Sequence, residues 1–372
     1  MTAQPGSSRR FFRPTWAEVD LSQIGANLRR FREKIPKKTK LMFVVKANAY
    51  GHGAAACAKA AEKARAADWL GVSSVEEGVL LREAELKLPI LVLGSLYPFE
   101  SFLAAAEYRL TPTVASFEAA RRLVDAAARV GRRLGCHLKI DTGMGRIGVS
   151  PAAGAAVASF IAEQPHLKLE GVYTHLASAE SDRARTSAQL ARFQETLRKV
   201  SAPARFLRHA ANSAAALSYA AARLDLVRPG GAIYGLCAGF SPVLSLKSKI
   251  VFLKTVAPGS TVGYGATFRA RRAARIATVP VGYADGYPRL LSNKASVLIG
   301  GKRCPVVGRV SMDMLTVDVT AAPAARVGED VVLIGRQGRQ AITAQDIAKT
   351  AGTISYEVTC AISSRVPRVY LP

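Results

Sequence analysis

Leu41-Met42-Phe43-Val44-Val45-Lys46-Ala47-Asn48-Ala49-Tyr50-Gly51-His52-Gly53 is an apolar run that stops on a lysine and then turns on two glycines. A lysine that ends a buried strand is not there to solvate a surface. Its ammonium is costly to desolvate unless paired, and desolvation moves its pKa down toward the range of a usable nucleophile or base. The glycines permit a tight turn in which backbone comes close to a ligand. Two readings stand at this point: a strand-edge lysine whose head reaches solvent, and a lysine that forms an imine with a carbonyl cofactor.

The same texture continues from this segment toward Arg228. Short apolar runs at 41–46, 69–73, 89–94, 110–114, 136–140, 168–174, 204–208 and 225–228 alternate with alanine-rich helical patterns near 54–66, 75–86, 99–107, 116–130, 151–163, 183–200 and 213–222. Eight strands separated by helices predict an α/β fold, a (β/α)8 TIM-type barrel, with a doubly wound open sheet as the competing arrangement. The polar residues favour the barrel, because Lys46, Lys139, His175, His209 and Arg228 fall at the C-terminal ends of different expected strands, and barrels build their sites on that face. After Gly235 the runs become short and alternating, separated by Pro258-Gly259, Gly300-Gly301 and Val327-Gly328, which predicts a mainly β C-terminal domain. The expected division is 1–240 for the barrel and 241–372 for the β domain, with residues 1–20 an N-terminal arm able to pack on the β domain.

Composition sets outer limits. The 372 residues are 49% apolar and carry 52 basic against 27 acidic side chains, a formal charge of +25. No run approaches the ~18 apolar residues of a membrane span, and Arg9, Arg10 and Arg13 lack the apolar core of a secretory signal. The basic residues are spread along the chain, as in Arg121-Arg122 and Arg271-Arg272, with no basic helix, aromatic RNA-binding signature or zinc finger beside them. Specific nucleic-acid binding is therefore not expected, and the charge alone fits attraction of anionic ligands equally well. Five scattered cysteines (57, 136, 237, 304 and 360) form no metal-binding cluster. They read as reduced thiols of a cytoplasmic protein.

A phosphate site in a barrel is expected in the loops after strands seven and eight. Those positions hold His209-Ala-Ala-Asn212-Ser213 and Arg228-Pro-Gly230-Gly231. Ser213 opens a helix and offers a hydroxyl and an N–H to an anion, and the glycine pair exposes two further N–H groups. A capping serine and an ordinary turn are the plainer explanation of either segment alone.

With these segments in view the chain resembles alanine racemase, a pyridoxal-phosphate enzyme with a barrel and a C-terminal β domain. The resemblance rests on Val45-Lys-Ala-Asn-Ala-Tyr-Gly-His-Gly, Lys139-Ile-Asp-Thr-Gly-Met-Gly-Arg146, Tyr173-Thr-His175, Ala211-Asn-Ser213 and Arg228-Pro-Gly-Gly. It continues through Gly263-Tyr264-Gly-Ala-Thr, Gly282-Tyr-Ala-Asp-Gly286, Gly308-Arg-Val-Ser-Met-Asp313 and Ser355-Tyr356-Glu. These nine segments stand in family order over nearly the whole chain.

The resemblance implies that Lys46 holds pyridoxal 5'-phosphate as an imine and works on one face of the substrate, with Tyr264 as the acid/base on the other. Racemisation needs a proton removed on one side and returned on the other. An ordinary tyrosine hydroxyl keeps its proton to pH ~10, so a tyrosine base needs help, which the family pattern supplies through His175, between the tyrosine and Arg228. Arg228 would face the pyridine nitrogen and, being permanently charged, disfavour its protonation, limiting side reactions. Arg146 would touch the cofactor's phenolic oxygen and the substrate carboxylate, and Lys139 would be carbamylated to hold Arg146, with a plain lysine as the alternative. Tyr50, Asn212, Ser213, Gly230, Gly231 and Tyr356 would bind the cofactor, chiefly its phosphate. Met312 and Asp313 would lie on the substrate-carboxylate side, and Arg309 in the access corridor.

The family also implies a head-to-tail homodimer with shared sites, Tyr264 crossing to the other subunit. The expected activity is interconversion of L- and D-alanine for peptidoglycan, with no metal and no membrane partner. The alternatives are a racemase of another or broader specificity and a non-catalytic pyridoxal-phosphate-binding barrel. Decarboxylases on the same architecture lack the Ala-Asn-Ala-Tyr-Gly-His-Gly and Gly-Tyr-Gly segments.

Overall fold

Each expected apolar run yields a parallel strand, mostly buried in all but the seventh, where Arg208 is exposed. The computed structural model describes residues 12–201 and 205–372. Its eight-stranded sheet is built from Lys40–Val44, Trp69–Val72, Ile90–Val92, Thr111–Val114, Leu134–Lys139, Leu167–Tyr173, Leu207–His209 and Leu226–Val227. Neighbours in sequence are neighbours in space and every pairing is parallel. The last strand pairs with the first through Lys40 and Leu226, and it meets the seventh through a parallel bridge from Asn212 to Arg228. That closes the barrel and excludes the open sheet. Ala204, the first residue of the expected 204–208 run, lies outside the described residues.

The helices between the strands form where alanine-rich patterns predict them. Phe117–Val130 shows why one is bounded as it is. Ser116 sits at its N-cap in an extended conformation and accepts a hydrogen bond from the Ala119 N–H, and Gly131 ends it in the left-handed conformation. Ala119, Ala120, Leu123, Ala126 and Ala127 form its buried stripe. An additional helix, Leu21–Arg32, precedes the first barrel strand.

The barrel interior is layered. Met42, Trp69, Leu91 and Leu226 make an apolar cluster. Thr113, His137, Tyr173 and His209 are polar, buried and mutually bonded, and Lys139 and Arg228 follow toward the strand C-termini.

The chain divides into two units. One holds Gly25–Ala49 and Ala54–Ile233; the other holds Tyr50–Gly53, Tyr234–Pro372 and the segment up to Ile24. The second unit is mainly β. Its largest sheet runs Lys302–Pro305, Ser296–Ile299, Asp330–Gln337, Leu244–Lys249, Thr15–Asp20 and Arg368–Leu371, with Gln340–Ile342 beside Asp330–Gln337. Of the arm expected over residues 1–20, residues 1–11 lie outside the described residues, and Thr15–Asp20 is a strand between Leu244–Lys249 and Arg368–Leu371. A second sheet joins Phe252–Val256, Ala274–Val279 and Leu315–Asp318 over a core that includes Val262, Ile276 and Val307. Thr343 and Asp346 form a capping box at the start of Ala344–Ala351.

The caps differ in geometry and so in worth. Ser116→Ala is expected to cost about 1 kcal/mol of stability. Ser74→Ala, whose hydroxyl is 3.4 Å from the Glu77 N–H, is expected to cost less than half as much. Urea unfolding of the two variants checks the order.

Candidate active site

The backbone after the first barrel strand does something that glycine spacing does not predict. Ala47, Asn48, Ala49 and Tyr50 all adopt positive φ, near 50°, so Lys46–Tyr50 is a single turn of left-handed helix. For residues with a Cβ each such conformation costs roughly 1–2 kcal/mol, so something must hold the turn. Glu77 does so: its carboxylate accepts from the Ala47 N–H at 2.6 Å and from the Ser73 N–H at 2.6 Å. Asn48 closes the far side by accepting from the Ala54 N–H. Strain gathered at one lysine is a mark of a functional position.

Around that lysine the barrel unit gathers cations. Lys139, the last residue of its strand, is only 3% exposed, and Arg228 only 4%. Burial first, and then the Arg146 and Arg228 charges, with Lys46 also contributing, push the Lys139 ammonium down to about 8, against one nearby opposing charge, Asp141. Arg146 stands in a loop shaped by that same aspartate, which accepts from the backbone N–H groups of Gly143, Met144 and Gly145.

Arg228 is held without a carboxylate among the described residues. Its guanidinium donates to the Thr174 carbonyl at 2.9 Å, the Ala210 carbonyl at 2.9 Å and His209 Nδ1 at 2.8 Å. An arginine can only donate, so His209 Nδ1 accepts and its proton sits on Nε2. That proton goes to His137 Nδ1, 2.9 Å away, which leaves the His137 proton on Nε2, buried and without a hydrogen-bond partner among the described residues. Tyr173 stacks on His209 with its ring centroid 4.6 Å distant, and its hydroxyl meets Thr113.

His175 follows the same logic more loosely, with Nδ1 3.5 Å from the Arg228 guanidinium. Burial and then the Arg228 charge take His175 and His137 down to about 3. His209 is likewise lowered well below its ordinary range, by burial, Arg228 and His137. Gln189 fixes the backbone beside His175, accepting from the Ala177 N–H and donating to the His175 carbonyl.

The two loops expected to hold a phosphate meet. Asn212 caps the helix Ser213–Ser218, and the buried Ser213 hydroxyl accepts from the N–H groups of Gly230 at 3.1 Å and Ala232 at 3.3 Å. The Ser213 hydroxyl proton remains for an anion.

In the other unit, Tyr50 is ringed by Tyr234 and Tyr356, with centroids 4.9 and 5.7 Å away, and Cys237 Sγ is 3.8 Å from the Tyr356 hydroxyl. Burial, and then the neighbouring Cys360 and Cys237, raise the Tyr50 hydroxyl well above its ordinary range. Tyr264 is 73% exposed. It lies in a turn between Gly263 and Gly265, and a Cβ on Gly265 would be 3.5 Å from Arg309 Cζ, so Tyr264 and Arg309 share one surface. Met312 and Asp313 are exposed on the same unit.

The sequence did not single out Glu77, Thr113, His137, Asp141, Gln189 or Tyr234. A histidine inside the otherwise apolar strand Leu134–Lys139 was the available signal for His137. Among the described residues no acid, histidine or cysteine group could hold a metal, and no helix is long and apolar enough to cross a membrane.

The buried His137 and His209 and the half-buried His175 stay neutral in the folded barrel, whereas in the unfolded chain they take up protons near pH 6.5. Their folded values are lowered, so stability is intact above about pH 6.5 and falls as the pH drops toward about 3. Each contributes a slope of up to about 1.4 kcal/mol per pH unit. Calorimetric Tm values across that window should decline less steeply in His137→Gln.

Two sequence profiles match the chain: "Alanine racemase, N-terminal domain" over residues 19–238 and "Alanine racemase, C-terminal domain" over residues 243–370. The alanine racemase of Symbiobacterium thermophilum is 48% identical, covering 96% of this chain and 97% of that protein. That of Halothermothrix orenii is 45% identical, covering 98% of each. Among solved structures, alanine racemase from Clostridium difficile superposes with a TM-score of 0.90 at 37% identity, covering 97% of each chain. The Bacillus anthracis enzyme with bound L-Ala-P gives 0.90 at 37% identity, covering 98% of this chain and 96% of that one.

Proposed function

Because the chain belongs to the alanine racemase family, whose members interconvert L- and D-alanine, we propose that Lys46 and Tyr264 are its two bases, working with pyridoxal 5'-phosphate. The observation that carries this reading is a cluster of four cations at the C-terminal face of a closed barrel, the buried Lys139 and Arg228 with the half-buried Lys46 and the exposed Arg146, around a neutral His175.

The donor set suits the cofactor. A ring nitrogen that accepts rather than donates is the matching partner for Arg228, whose neighbours include no carboxylate among the described residues. The Ser213 hydroxyl proton and the Gly231 N–H offer donors to a phosphate, the Gly230 N–H being given to the Ser213 oxygen, with Asn212 fixing the helix end beside them and Tyr50 and Tyr356 as further contacts. What pyridoxal 5'-phosphate supplies when bound is an electron sink that acidifies the α-C–H of an attached amino acid.

Lys46 holds the group and moves the α-proton on one face. Tyr264, from a second copy of the chain, moves it on the other. Its exposure in the β unit supports that assignment. With its Nδ1 turned to Arg228, His175 carries its proton on Nε2 and can donate it to the tyrosine oxygen, easing loss of the phenolic proton. Arg146 binds the substrate carboxylate, Met312 and Asp313 border that side of the site, and Arg309 lines the access corridor. The product D-alanine serves peptidoglycan assembly in the cytoplasm, a location that the free thiols of all five cysteines suit.

Shared sites have a direct test. Lys46→Ala and Tyr264→Phe each lower kcat at least about a hundredfold. Refolded together, they form mixed dimers in which one site has both bases. About a quarter of the parent activity then returns, a recovery that self-contained sites cannot give.

Lys139 is set for carbamylation, because a buried amine lowered to about 8 is partly neutral at neutral pH and stands among cations that an anion would offset. Labelled bicarbonate should give one carbamate 13C signal per chain, absent in Lys139→Ala. That variant should raise KM for alanine roughly tenfold, the worth of a charge-assisted hydrogen bond.

A further inference from the structure

Asp285 is fully buried, 0% exposed, in the β unit. The Arg13 guanidinium forks onto both of its carboxylate oxygens, and the same guanidinium reaches the Pro280 carbonyl at 2.7 Å. The Gly282 N–H donates to Asp285 Oδ2 at 2.9 Å, and the Asp285 carbonyl accepts from Ser363 N–H. A buried carboxylate this fully satisfied makes a rigid point.

The turn Gly282–Gly286 that Asp285 organises is pressed against two other segments. Tyr283 N–H donates to the Ser311 carbonyl at 3.0 Å and Ala284 N–H to the Met312 carbonyl at 3.1 Å. A methyl on Gly282 would overlap the Met312 carbonyl, and one on Gly286, at φ +95°, would overlap the Ala361 carbonyl. Backbone is thus in direct contact with backbone, and glycine is required at both ends.

A second link leaves Asp285 through charge. Arg365 Nε is 3.7 Å from Asp285 Oδ1, and its Nη2 donates to Asp313 Oδ1 at 2.6 Å. The guanidinium therefore spans a buried acid and an exposed one. Hydrogen bonding to Asp313, and then the charges of Asp285 and Asp313, raise the arginine's own pKa.

We propose that Asp285 is a positioning residue for the racemase: clamped by Arg13, it fixes the 311–313 loop through the Gly282–Gly286 backbone and, through Arg365, the carboxylate of Asp313. The proposal rests on the reading that Met312 and Asp313 border the substrate carboxylate. The 311–313 loop then governs how alanine is seated, while the two bases sit elsewhere. Loosening it changes substrate affinity more than proton transfer.

The test compares Arg365→Gln, Asp285→Asn, Arg13→Lys and Asp313→Asn as holoenzymes, with kcat, KM for L-alanine, cofactor absorbance and Tm measured for each. Arg365→Gln should raise KM about tenfold with kcat within about threefold of the parent, and leave absorbance and Tm unchanged. The Arg365→Gln/Asp285→Asn pair should raise KM little more than either change alone, because both cut one path. Arg13→Lys, which keeps the charge and loses the fork, should give a smaller KM rise than Asp285→Asn. If Asp285→Asn does not fold, Arg365→Gln decides, since it removes only a half-exposed side chain.

A KM for Arg365→Gln within about twofold of the parent, with Asp313→Asn still raising KM, overturns the proposal and leaves the substrate-side reading standing. So does a set of variants that lower Tm and leave KM alone. An unmoved KM in Asp313→Asn removes the substrate-side reading and the proposal together.

Discussion

Arg228 keeps its charge inside the barrel by donating to two carbonyls and an imidazole, and the site's electrostatics depend on that arrangement. Burial lowers the guanidinium to about 10, with Tyr173 opposing the shift, and it is still cationic at neutral pH. A counter-acid would have neutralised its field. With imidazoles and carbonyls as partners the field persists, and it lowers the basicity of His175, His137 and Lys139 around it. Each histidine is thereby kept neutral with a defined tautomer. His209 and His137 present their nitrogen lone pairs toward the cation and their N–H groups away from it, so two aligned ring dipoles stand where an anion would otherwise be needed.

Much of this was legible because the signals were local. Apolar runs of strand length separated by alanine-rich helices can close only into a few architectures, and polar residues at successive strand ends pointed to one face. Ser213 and Gly230-Gly231 were readable for the same reason, since loop chemistry and loop position agreed. The strand Thr15–Asp20 was not read as one, because its six residues pair with segments more than 200 positions away and stand next to an arginine-rich arm. His137 was overlooked because one histidine in an apolar strand has no meaning until His209, 72 residues on, is placed beside it.

The hub at Asp285 was invisible for a related reason. Gly282-Tyr-Ala-Asp-Gly286 reads as an ordinary glycine turn, and nothing local says that its aspartate is buried under an arginine 272 residues upstream. Burial of a charge is a tertiary fact, and the sequence shows only the charge. The same holds for Glu77, a helix-start acid by position, whose carboxylate instead grips the backbone after Lys46.

The turn from Lys46 to Tyr50 has a stereochemical consequence of its own. Its residues occupy the mirror image of the right-handed helical basin, which is the region a D-residue prefers. Ala47 is exposed there, so its methyl can change sides without disturbing a packed neighbour. A semisynthetic chain carrying D-alanine at 47 would find relaxed a conformation that ribosomal L-alanine must be forced to hold. Beside its reactive lysine, the backbone of an enzyme that makes D-alanine already has the shape that D-alanine would choose.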